Sequence, residues 1–186
     1  MKKIVVILTA LLLSACASQP QLSVPEVINH DNKSFYLTSQ QDLGDVGHYV
    51  YLKKEDTPEN WQSTVELLLD RSPKRDFKER IALRENVYKK TGVEHFKLYE
   101  KDHTLYSYVI YAPSARNKNW QVDVTKGKNI PQCGFVQYQY SLKVAKNKKL
   151  MNMNNVKIAS YLKRYVVDKE LKNLAQANWN WGCINE

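Results

Sequence analysis

Between Phe35 and Val144 the apolar residues recur mostly at every second position. After Asn155 they recur every third and fourth. The first spacing is that of half-buried strands and the second that of helices. Phe35-Tyr36-Leu37 reads as a short strand, residues 43–47 as a turn and 48–53 as a Tyr- and Val-rich strand. A charged loop with Pro58 follows. Val65, Leu67 and Leu69 then alternate with Thr64, Glu66 and Asp70, a strand pattern broken only by Leu68.

Ser72-Pro73 has the chemistry of a helix start, because serine can accept from a first-turn amide and proline suits the first helical position. Phe77, Ile81, Arg84 and Tyr88 would share one face, with Lys74, Arg75, Lys78 and Glu79 on the other. Lys89 and Lys90 suit the carboxyl end, and Gly92 can stop the helix at positive φ.

Past Gly92 the period returns to two. Phe96 and Leu98, then Leu105, Ser107, Val109 and Tyr111, predict a hairpin turning at residues 101–103. Trp120, Val122 and Val124 predict another strand, ended by a turn at Lys126-Gly127-Lys128-Asn129. The cleanest alternation sets Val136, Tyr138, Tyr140, Leu142 and Val144 against Phe135, Gln137, Gln139, Ser141 and Lys143. Asn155 is placed to cap a helix carrying Ile158, Leu162 and Val166, and Asp168 to cap a shorter one with Leu171 and Leu174. Strands, a helix, more strands and two helices predict an α+β fold. It has a mainly antiparallel sheet, one helix between strands, and C-terminal helices.

The amino terminus follows a different rule. Lys2 and Lys3 precede ten residues, Ile4 to Leu13, that are apolar except for Thr9. A spanning helix needs about 20 such residues, so the run fits a secretory signal. Leu13-Ser14-Ala15-Cys16 resembles the lipobox of bacterial lipoproteins. That resemblance implies cleavage before Cys16 and a diacylglycerol on its thiol. By the sorting rule that goes with this resemblance, Ala17 and Ser18, with no aspartate after the cysteine, imply the periplasmic face of a Gram-negative outer membrane. The competing reading is a plain secretory signal with an unrelated cysteine. The expected division is a signal peptide over 1–15, an acylated cysteine and Pro-containing tether over 16–30, and a single α+β domain over 31–186.

Export changes how charge and cysteine are read. The chain carries 28 basic and 19 acidic residues, a formal charge of +9. In cytosol that surplus would raise nucleic acid as a partner. Outside it, the expected partners are the membrane through the anchor and a protein or the cell wall, with no nucleic acid. Lipidation of Cys16 leaves Cys133 and Cys183, and two cysteines in an oxidising compartment predict one disulfide.

Motifs of catalysis are missing. There is no Gly-x-Ser-x-Gly, no His-Glu-x-x-His and no glycine-rich phosphate loop. His30 and His48 stand apart, and His95 and His103 could meet across the predicted hairpin. Two histidines make an incomplete metal site. Glu55, Asp56 and Glu59 read as a solvated loop. No cofactor, metal or catalytic residue is assigned.

Twelve tyrosines and four tryptophans are a heavy aromatic load. Tyr106, Tyr108, Tyr138 and Tyr140 recur at period two. They offer a binding surface if one sheet face is uncovered and core packing if it is not. The expected function is a periplasm-facing lipoprotein with a non-catalytic binding domain, in one version an immunity or inhibitor protein. The alternatives are an envelope assembly or maintenance factor contacting peptidoglycan or anionic lipid, and an envelope hydrolase using His95 or His103.

Overall fold

The structure, a computed structural model, describes residues 19–72, 75–115, 117–178 and 181–184. Cys16 and Trp179 lie outside the described residues, as do Pro73 and Lys74 of the expected helix start.

Two four-stranded meanders make the main sheet. The first is β2 (Val27–His30), β3 (Lys33–Asp42), β4 (Val46–Leu52) and β5 (Ser63–Asp70). The second is β6 (His95–Lys101), β7 (Thr104–Tyr111), β8 (Trp120–Ile130) and β9 (Gly134–Val144). All neighbours are antiparallel, and the spatial order is β2-β3-β4-β5-β9-β8-β7-β6. The last strand of each meander therefore meets at the centre. To start the second meander at the far edge, the chain must first cross it. Helix α1 (Phe77–Lys90) does so: its 14 residues span about 21 Å, enough for four strands about 4.8 Å apart. The α+β architecture with a helix between strands and helices at the end is as expected.

The helix begins later than Ser72-Pro73 suggests. Asp76 is its cap, accepting from the Glu79 amide at 2.8 Å. At the other end Gly92 takes φ 74°, where a side chain would be strained. Phe77, Arg80, Ile81, Arg84 and Tyr88 turn toward the sheet. Phe77 meets Phe135 edge-on, and the Arg80 guanidinium lies 4.3 Å above the same ring while pairing with Asp70.

The opposite sheet face carries the main core. Val65, Leu67, Leu69, Val122, Val124, Val136 and Tyr140 pack there against Ile158, Ala159, Leu162, Val167 and Leu174. Those last five come from α3 (Asn155–Leu162), a π-helical turn (Lys163–Val167) and α4 (Asp168–Gln176), which follow a short α2 (Lys148–Met151). Asn154, one residue before the expected cap, accepts from the Lys157 amide. Asp168 caps nothing, because the π turn carries the chain straight into α4.

Two expectations fail for identifiable reasons. Residues 126–129 continue β8 instead of turning; the reversal is at residues 131–133, closed by Cys133 N to Ile130 O at 3.2 Å. Gly127 serves proximity, since a Cβ there would collide with the Phe135 ring. The tether also ends before residue 30. β1 (Gln21–Leu22) pairs with β10 (Cys183–Ile184), and Leu22, Ile28 and His30 are buried. The Cys133–Cys183 disulfide pins this two-stranded latch to the start of β9.

Candidate functional site

The register puts all four tyrosines on the face that the carboxyl-terminal helices cover. Tyr106, Lys126 and Tyr138 form one cross-strand row, and Tyr108, Val124 and Tyr140 form the next. Tyr140 is 2% exposed and stacks on His30 with ring centres 4.0 Å apart. Tyr138 is 6% exposed, so these two serve the interior. Tyr106 and Tyr108 are half-buried, Tyr106 stacking on Tyr99. The row nevertheless reaches a cavity. Tyr138 forms part of a groove of about 430 Å³, within the range of small-ligand sites.

Three separate stretches build that groove. Residues 23–30 supply Val24, Pro25 and Ile28; the end of α4 supplies Leu174 and Ala177; the tail supplies Trp181. The Trp181 indole lies parallel to the Tyr138 ring at 5.4 Å, held there by the latch and the disulfide beside it. Lys126 closes the floor. Its ammonium donates to the carbonyls of Leu174 and Ala177, both at 2.7 Å, where α4 leaves carbonyls without helical partners. Burial holds the Lys126 pKa below the usual lysine value.

Beneath the groove runs a buried polar chain. Tyr138 Oη lies 2.9 Å from His30 Nδ1, and His30 Nε2 lies 3.1 Å from Glu170 Oε2. Burial pushes the Glu170 carboxyl up. Hydrogen bonds from His30 and Asn173, together with the Lys169 charge, outweigh it and hold the group below its usual value. With Glu170 ionised, His30 donates from Nε2 to the carboxylate and its Nδ1 accepts the hydrogen bond from the Tyr138 hydroxyl. Burial raises the Tyr138 pKa, so the phenol keeps its proton and donates a hydrogen bond to His30. Such a chain fixes the wall of a site.

A second, more polar cleft of about 640 Å³ lies where β6–β8 leave α1, with Asp123 in its lining. Gln121 donates to Asp123 at 2.9 Å, yet burial pushes this carboxyl up to about 6. His95 also lines this cleft, whereas His103 sits in the turn beyond the other end of β6. A strand's length therefore separates two histidines that the hairpin was expected to join. His48 instead bonds Glu66 at 2.8 Å. Among the described residues no group of three or more His, Cys, Asp or Glu side chains could hold a metal ion, and no helix is long and apolar enough to cross a membrane.

A protein-family model matches residues 22–179, from the buried Leu22 of β1 to the end of the helical layer. The chain belongs to that family, which is uncharacterised. It is also similar to an uncharacterized protein of Haemophilus influenzae (strain ATCC 51907 / DSM 11121 / KW20 / Rd). The two are 46% identical over 191 residues, covering 98% of this chain and 99% of the relative. No solved structure matches. The matched region contains His30, Lys126, Tyr138 and Glu170 but stops short of Trp181 and Cys183.

Proposed function

We propose that the protein is a lipoprotein anchored through Cys16 on the periplasmic face of the outer membrane, whose folded domain binds a ligand without transforming it. The Leu13-Ser14-Ala15-Cys16 resemblance and the oxidised pair Cys133–Cys183 support the location. The observation that carries the binding role is the groove under Trp181, with apolar walls and a buried Tyr138–His30–Glu170 chain behind it. Its size suits a small, mainly apolar ligand or an inserted side chain of a partner protein, the mode an immunity or inhibitor protein would use. A phenol kept protonated by burial favours holding over acid–base chemistry.

The test uses the full chain in its own cells. A clickable palmitate should label the wild type and not Cys16→Ser. A photo-crosslinking p-benzoylphenylalanine placed at Asn29, in the groove, should capture a defined adduct. The same group at Leu83 on α1 should not. Equal labelling of Cys16→Ser overturns the anchor, and the absence of an Asn29-specific adduct overturns the groove as the binding site.

A further inference from the structure

Positive charge is strongly segregated in this chain. Residues 124–167 hold nine basic residues and no acid; the remainder holds 19 basic residues, Lys2 and Lys3 among them, and all 19 acids. Without those two lysines the rest of the protein is slightly negative, so the whole surplus belongs to one contiguous stretch. A basic excess that merely kept the protein soluble would be spread among acids.

Much of this stretch folds into one exposed corner. Lys146, Lys148 and Lys149 lead into and form α2, and Lys157 and Arg164 follow on α3 and the π turn; all five are exposed. Apolar side chains protrude between them: Met151 is 71% exposed, Val156 68% and Tyr165 54%. The aromatic and basic groups are in contact. Tyr161 and Tyr165 pack at 4.7 Å, with the Lys149 ammonium 4.3 Å from the Tyr161 ring and the Arg164 guanidinium 5.4 Å from that of Tyr165. On the inner side of the same helices Leu150 and Ile158 are buried, so each helix turns one apolar set inward and a second outward.

We infer that this α2–α3 corner is a docking surface for an anionic lipid bilayer. Lysines and an arginine reach phosphate headgroups while Met151, Val156 and the tyrosines settle among them, the pairing of charge and apolar area that interfacial helices use. The inference is independent of the groove and of Cys16. Protruding methionine and valine favour lipid over a cell-wall polymer, which offers them nothing apolar to enter.

The test uses the domain from residue 19 onward, which contains the complete core, from Leu22 to Leu174, and the disulfide. It should float with phosphatidylglycerol–phosphatidylethanolamine vesicles, remain behind with phosphatidylcholine vesicles, and be released by about 0.5 M salt. Lys146→Glu/Lys148→Glu/Lys149→Glu should weaken binding about a hundredfold. An equal charge change at Lys54, Lys78 and Lys90 should weaken it far less, and Met151→Ser/Val156→Ser should weaken it with the charge intact. Circular dichroism confirms that each variant is folded. Equal losses from both lysine sets, or binding to purified sacculi in place of vesicles, overturns the lipid surface.

Discussion

Replacing Cys133 and Cys183 by alanine tests how the groove is held together. The disulfide closes a loop of 50 residues. Cross-linking residues this far apart removes enough unfolded-state entropy to be worth about 4 kcal/mol in the chain-entropy model. In a domain of this size each kcal/mol moves Tm by about 2–4 °C, so the double variant should melt about 8–16 °C lower. A smaller, local loss comes on top. Without the bond the tail keeps the pairing of β1 with β10, the Ser23 amide donating to the Gly182 carbonyl, and the stacking of Trp181 on Tyr138. The assay is urea unfolding followed by far-ultraviolet circular dichroism, which reports the sheet and not the tail. Trp181→Ala is measured in parallel. The reasoning fails if the double variant loses less than about 1 kcal/mol, the scale of an ordinary point substitution. It also fails if Trp181→Ala costs as much, since the tail contact and not the loop would then carry the effect.

Two further outcomes follow from single buried groups. Asp123 carries a carboxyl raised from 3.8 to about 6 by burial, so the folded state holds a proton that the unfolded state has released. Its contribution is therefore full below pH 3.8 and is lost as pH rises through about 6. Asp123→Asn should raise stability near pH 7.5 by up to about 3 kcal/mol and change little near pH 3.5, and equal shifts at both would refute the account. Gly127→Ala should cost about 1–3 kcal/mol through its clash with the Phe135 ring. Adding Phe135→Leu should recover part of that loss, and strictly additive effects in the double variant would show that the ring is not responsible.

The sheet was legible wherever one face carries apolar side chains and the other polar ones. Val136 to Val144 alternate cleanly because β9 packs helices on its even-numbered side and polar groups such as Gln137, Gln139 and Ser141 on the other. The α1 face was legible for the same reason, including Arg84. Lys126-Gly127-Lys128-Asn129 misled because its composition is that of a turn. Its glycine answers to a ring eight residues away, and its first lysine answers to carbonyls at residues 174 and 177. The candidate site was mostly invisible. His30 sits in a stretch whose prolines suggest a tether, and Glu170 looks like any charge on a terminal helix. They are 140 residues apart, and no local period announces such a pair. Only Tyr138 was singled out, as part of a surface that the fold turns inward. The disulfide needed only that Cys16 be set aside on the lipobox resemblance, which leaves Cys133 and Cys183 a single pairing.

The latch has a mechanical consequence. A pull on the amino-terminal end meets the Arg71 bond to the Pro20 carbonyl and then the short ladder from Gln21 and Leu22 to Ile184 and Cys183. The sulfur bridge then passes the load to Cys133, at the root of a central strand, whereas β2 lies at the sheet's margin. Tension there is steered toward the part of the molecule best able to resist it, instead of unzipping the border strand first.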